Sequence, residues 1–141
     1  MGGEIFEDHT DGISKTWLEN NTGSDVRFLG YINNMSEKLK EIDLFVLPSA
    51  YREGVPRVLL EAAATGIPII TTDSPGCREV VDNGVNGILV PPEDHIKLSE
   101  SISNLVSDPL KLRNIGEKSR EIAEDKFDLK KITEQYLELY N

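Results

Sequence analysis

The chain has 141 residues, with 15 basic against 25 acidic side chains for a formal net charge of -10, and an apolar share of 38%. That length suits one domain with one core, residues 1–141 as a single unit, and the acidic excess excludes a general electrostatic grip on nucleic acid or an anionic membrane surface. A phosphorylated ligand therefore needs a local device.

The lone cysteine, Cys77, excludes an internal disulfide, and His9 and His95 stand far apart with no further zinc ligands around them. No protein-bound metal is expected. No apolar run approaches the roughly 20 residues that cross a bilayer, and Met1-Gly2-Gly3-Glu4 lacks the basic and apolar parts of a signal peptide. A soluble intracellular chain is the expectation.

In chain order, Ile13, Trp17 and Leu18 recur at helical spacing over residues 11–21, with Gly23 placed as a C-cap and Trp17 expected to pack. Residues 26–29 read as a strand, and Met35, Leu39 and Ile42 as a short amphipathic helix. Residues 44–47 are apolar on both faces, which predicts a buried parallel strand stopped by Pro48. Pro56 stands at an expected first helical position, Val58, Leu59, Ala62 and Ala63 form an apolar stripe, and Gly66 ends that helix. Residues 68–72 form the next strand, 76–81 a short helix and 88–90 a last strand after turns at 82–84 and 86–87. Three helices follow, at 95–107, 110–126 and 129–140, so that residues 108–141 are a helical tail. Strand and helix alternate four times without a tight hairpin, which predicts an α/β, Rossmann-like parallel sheet with helices on both faces. Four strands make a thin sheet, and the abrupt start predicts a first strand and helix lying ahead of Met1.

In such a sheet ligands lie beyond the carboxyl ends of the strands. The informative loop is Ser49-Ala50-Tyr51-Arg52-Glu53-Gly54-Val55-Pro56, which sets a carboxylate, a guanidinium and a glycine just ahead of a helix N-terminus. Free amides and the positive end of the helix dipole suit an anion there, and Gly54 permits close approach. Glu61 falls in a strongly apolar helix, where burial demands partners. An ion pair with Arg57 one turn earlier and a ligand role explain it equally well. His95 reads as an exposed residue beside a cap, and Cys77 as a small packed residue with no histidine near it in sequence. Asp73 and Glu79 flank the edge of the site, as sugar contacts or as helix caps. No D-x-D triplet is present.

Glu53 and Glu61, with seven residues between them, resemble the E-x7-E motif of retaining glycosyltransferases of family 4 (group 1), which have the GT-B fold. Val26-Arg27-Phe28-Leu29-Gly30, Asp43 to Ser49, Ala64 to Ile70 and Asp82 to Val90 follow in the order of the donor-binding, C-terminal half of these enzymes. The resemblance implies Glu53 as the catalytic carboxylate against the transferred sugar and Glu61 on the ribose hydroxyls. It implies the backbone at Gly54, Val55, Pro56 and Arg57 on the diphosphate, Pro56 having no amide hydrogen to give, and Gly30, Tyr31 and Ile32 at the base.

The resemblance further implies a nucleoside diphosphate sugar, UDP-linked, as substrate, with no cofactor, and a glycan or lipid-linked hydroxyl acceptor held by an N-terminal domain outside this chain. Bacterial capsule, O-antigen and glycan assembly is the implied setting, in the cytoplasm and at the inner face of the membrane. The family's arginine and lysine for the diphosphate have no match; Arg52, Arg57 and Arg78 are the nearby cations. The chain alone is expected not to turn over. The alternative is a non-catalytic α/β nucleotide-binding or regulatory module, in which Glu61 pairs only with Arg57.

Overall fold

A computed structural model describes residues 14–49 and 54–139. The chain divides into two compact units, Met1–Met35 and Ser36–Asn141.

In the first unit, α1 (Lys15–Asn21) begins where Ser14 accepts from the Trp17 amide. It ends without a glycine: Thr22, in extended conformation, turns both its N–H and its hydroxyl onto the Leu18 carbonyl, the latter at 2.6 Å. Gly23 is thus not the C-cap, because the threonine already satisfies the carbonyl a left-handed residue would serve. Residues 11–13 lie outside the described residues. Leu18 is buried, but Trp17 is 52% exposed and does not pack as expected. Residues 26–29 form no strand, since pairing needs a neighbouring ladder and none reaches them among the described residues.

The second unit holds α2 (Met35–Leu39, its first residue closing the first unit), β1 (Phe45–Leu47), α3 (Arg57–Thr65), β2 (Ile69–Thr72), α4 (Pro75–Arg78), β3 (Gly87–Val90), α5 (His95–Val106), α6 (Pro109–Lys126) and α7 (Leu129–Leu139). The strands form a parallel sheet in the order β1-β2-β3. Three of the four expected strands are therefore present among the described residues. The central β2 is buried throughout, as a parallel strand covered on both faces must be. β1 is only half-buried, contrary to the expectation from its apolar run, because it lies at the edge of the described sheet.

Val46, Ile70 and Ile88 are register partners and share one face with Val90. Leu98, Ile102 and Leu105 of α5 and Leu112 and Ile115 of α6 complete this core. Each large aliphatic side chain buried there contributes about 1.5–3 kcal/mol over exposure, so this cluster fixes the two helices to the sheet. On the other face, Thr71 meets Cys77 of α4, its Oγ1 lying 3.2 Å from the sulfur. A β-carbon on Gly87 would stand 2.4 Å from the Ile69 carbonyl oxygen and 2.9 Å from Val81, so only glycine fits at this register position. Helices thus cover both faces.

Two junctions hold the frame of α3. Gly66, at φ 79°, closes its C-terminus by donating to the Ala62 and Ala63 carbonyls. Arg120 of α6 donates to the Ala64 carbonyl. Beyond α4, buried Asn86 accepts from the Asp82 amide at 2.7 Å and donates to the Val80 carbonyl at 2.9 Å, which shapes the turn into β3. The helical tail begins one residue earlier than expected, at Pro109, because Asp108 caps the Lys111 amide and Pro109 takes the first helical position.

Candidate functional site

The carboxyl ends of β1 and β2 are tied together side by side. Thr71 Oγ1 donates to the Leu47 carbonyl at 2.8 Å, and the Thr72 hydroxyl donates to the Ser49 carbonyl. The Ser49 amide turns back onto the Leu47 carbonyl at 2.9 Å, across Pro48, and the Asp73 amide reaches the Val90 carbonyl at 2.7 Å. The loop that leaves β1 therefore starts from a fixed point. Tyr51, Arg52 and the expected catalytic residue Glu53 lie outside the described residues.

Gly54 and Val55 lead into α3 and are exposed. Pro56 is the N-cap and not the first helical residue: its ψ of 119° is extended, and Arg57 opens the helix. Extended geometry of this kind is what a cap requires, and proline supplies it with φ already fixed at −65°. Proline has no side-chain acceptor to offer the first-turn amides, and α3 has no side-chain cap among the described residues. By contrast α1, α5 and α6 are closed by Ser14, Asp94 and Asp108. The Leu59 amide donates to the Pro56 carbonyl at 3.0 Å, whereas the Arg57 and Val58 amides at the positive end of the dipole meet no acceptor among the described residues, the chemistry that receives an anion.

Glu61 follows one turn later. It is 32% exposed at its side chain, so the expected burial is not found: α3 buries Leu59, Ala62 and Ala63 and turns Glu61 partly to solvent. Arg57 Nε donates to Glu61 Oε1 at 3.1 Å, which is the ion pair foreseen as one of the two explanations. Both side chains line an open cavity of about 560 Å3 whose other walls include Leu60 and Ala64 of α3, Arg120 and Glu124 of α6, and Phe127. Sequence reading missed these tail residues, because nothing local in α6 marks them; only the packing of α6 along α3 brings them to Glu61.

Gly30, Tyr31 and Ile32 belong to the first unit, where Gly30 adopts φ +68°, a conformation that favours glycine, and Tyr31 is 69% exposed. Arg78 is committed to Asp73: Nε donates to Oδ1, and Nη2 to the Asp73 carbonyl at 3.3 Å. This hydrogen bond, opposed by desolvation and aided by charge, lowers the Asp73 carboxyl below its ordinary value and raises the Arg78 guanidinium. Ser74, not Asp73, is the N-cap of α4. Cys77 is buried as expected, and His95 is exposed beside the Asp94 cap. Among the described residues no cluster of three or more His, Cys, Asp or Glu could hold a metal ion, and no helix is long and apolar enough to cross a membrane.

The sequence model of the family described as "Glycosyl transferases group 1" matches residues 7–122. An exopolysaccharide phosphotransferase of Streptomyces coelicolor is 40% identical over 116 residues, covering 82% of this chain and 12% of that protein. The N,N'-diacetylbacillosaminyl-diphospho-undecaprenol alpha-1,3-N-acetylgalactosaminyltransferase of Campylobacter jejuni is 36% identical over 121 residues, 86% of this chain and 31% of that protein. The structure of Anabaena HepE in complex with UDP-glucose superimposes with a TM-score of 0.79 at 28% identity, covering 89% of this chain and 35% of HepE. The chain therefore spans about a third or less of each relative. The parallel sheet with its helices is the fold of the GT-B glycosyltransferases, and the chain belongs to the group 1 glycosyltransferase family.

Proposed function

We propose that this chain is the donor-binding part of a retaining glycosyltransferase that takes a sugar from a nucleoside diphosphate sugar, UDP-linked, and delivers it to a hydroxyl acceptor in bacterial surface polysaccharide or glycan synthesis. The observation that carries this reading is the start of α3. Its first-turn amides have no side-chain cap among the described residues, and Glu61 stands one turn further along, beside an open cavity. The UDP-glucose complex of HepE, a protein that superimposes on 89% of the chain, supports the choice of donor.

In this reading the amides at Gly54, Val55 and Arg57 take the diphosphate, with Pro56 fixing the approach of the chain. Glu61 accepts from the ribose hydroxyls through its carboxylate, a two-acceptor group suited to a diol. Glu53 accepts from the hydroxyls of the transferred sugar and stabilises positive charge developing at the anomeric carbon. The leaving phosphate assists in deprotonating the acceptor hydroxyl on the same face of the sugar. One carboxylate thus faces ribose and not the scissile bond, unlike a glycosidase pair. The donor is substrate, and no resident cofactor or metal is part of the proposal. The acceptor, glycan or lipid-linked, is bound by another domain, with the enzyme in the cytoplasm at the inner face of the membrane.

Calorimetric titration with uridine, guanosine and adenosine diphosphates tests this. UDP is expected to bind most tightly, and Glu61→Gln to weaken it by roughly tenfold or more, since a hydrogen bond to a charged acceptor is worth about 1.5–3 kcal/mol. Binding of none of the three, or a Glu61→Gln chain with unchanged UDP affinity, would favour the non-catalytic module.

A further inference from the structure

We infer that the Arg57 side chain is a positioning residue for Glu61: it holds one carboxylate oxygen so that the other is presented to a ligand hydroxyl. This rests on the donor reading above, which assigns Glu61 to ribose and uses only the backbone of Arg57.

The pair is poorly explained as a helix-stabilising bridge. Arg57 is the first residue of α3, where a cation opposes the helix dipole. An arginine preceding its glutamate by four positions is also the weaker of the two orders. The same order occurs on α6 in Arg113–Glu117 and Arg120–Glu124, yet those arginines lie inside an 18-residue helix, and their carboxylates are 57% and 60% exposed. Glu61 is 32% exposed and lines a cavity, while its partner Arg57 is 91% exposed.

The geometry assigns the two oxygens different tasks. Oε1 accepts from Arg57 Nε at 3.1 Å, and no bond is made to Oε2 among the described residues. A carboxylate on an otherwise rotatable side chain loses freedom when one oxygen is held, so less ordering remains to be done when a ligand arrives.

The test compares the unmodified chain with Arg57→Ala and Arg57→Lys, each titrated calorimetrically with UDP and with 2′-deoxy-UDP. The arginine Nε–H signals of the ligand-free chain and of Glu61→Gln are followed by 15N NMR. The unmodified chain is expected to prefer UDP, and Arg57→Ala to lower UDP affinity by roughly tenfold with little change for the deoxy nucleotide, so that the preference shrinks. Arg57→Lys restores part of it. In Glu61→Gln the Arg57 Nε–H signal shifts without any nucleotide. Equal loss for both nucleotides would mean that Arg57 acts on phosphate, and no loss for either would mean a surface pair; each overturns the inference while the donor reading stands. An Nε–H signal indifferent to Glu61→Gln overturns it independently of binding. Failure of the unmodified chain to bind either nucleotide removes the donor reading, and the inference with it.

Discussion

A β-carbon on Gly116 would stand 2.5 Å from the carbonyl oxygen of Gly66, which means that α6 crosses the end of α3 with backbone against backbone. This contact sets how deeply α6 seats on the helix that carries Glu61. Gly116→Ala should therefore push the two helices apart, because the obstacle is main chain and not the end of a flexible side chain. A loss of about 1–3 kcal/mol in chemical denaturation is expected. A chain as stable as the unmodified one would show that the crossing can relax.

Asn86 is buried and serves a donor and an acceptor of the main chain at once, the Asp82 amide and the Val80 carbonyl. Asn86→Ala leaves both unpaired inside the fold. A cost of about 1–3 kcal/mol follows from the desolvation of each orphaned group, and thermal unfolding should show it as a lowered midpoint. Asn86→Asp preserves the acceptor but not the donor, and is expected to recover only part.

Pro56 caps α3 without a side-chain acceptor. Pro56→Asp places a carboxylate over the same amides, which should contribute about 0.5–2 kcal/mol as a helix cap, offset by about 0.4–1 kcal/mol from the looser unfolded chain. The thermal midpoint is expected to change little or rise. UDP affinity should nevertheless fall by at least about tenfold, since the new carboxylate occupies the amides and repels the diphosphate. Unchanged UDP binding would place the diphosphate elsewhere.

The Asp73–Arg78 pair gives stability a defined pH dependence. Because the hydrogen bond from Arg78 lowers the folded-state value of Asp73 below 3.8, its contribution is complete above that pH and is lost as pH falls through the depressed value. Thermal midpoints of the unmodified chain and of Arg78→Gln should differ at neutral pH and converge below pH 3.8. The separation is small, since both groups face solvent. Curves that stay parallel to the acid end would show that the pair contributes nothing.

Periodicity and punctuation were enough to locate α3, β2 and β3, since proline, glycine and apolar stripes act over a few residues and do not depend on distant partners. The E-x7-E spacing with its flanking motifs was enough to identify the family. Pairing and exposure were not local in this way. Among the described residues, 26–29 have strand-like composition but no ladder, and β1 has a core-like sequence at a sheet edge, because a strand and its burial are defined by neighbours. Glu61 was expected to be buried from its apolar context, yet it lies on the side of α3 that the sheet does not cover. Its bond to Arg57, one turn away, was legible as one of two explanations, but its exposure and the cavity shared with α6 and Phe127 were decided only when residues more than 50 positions apart packed together.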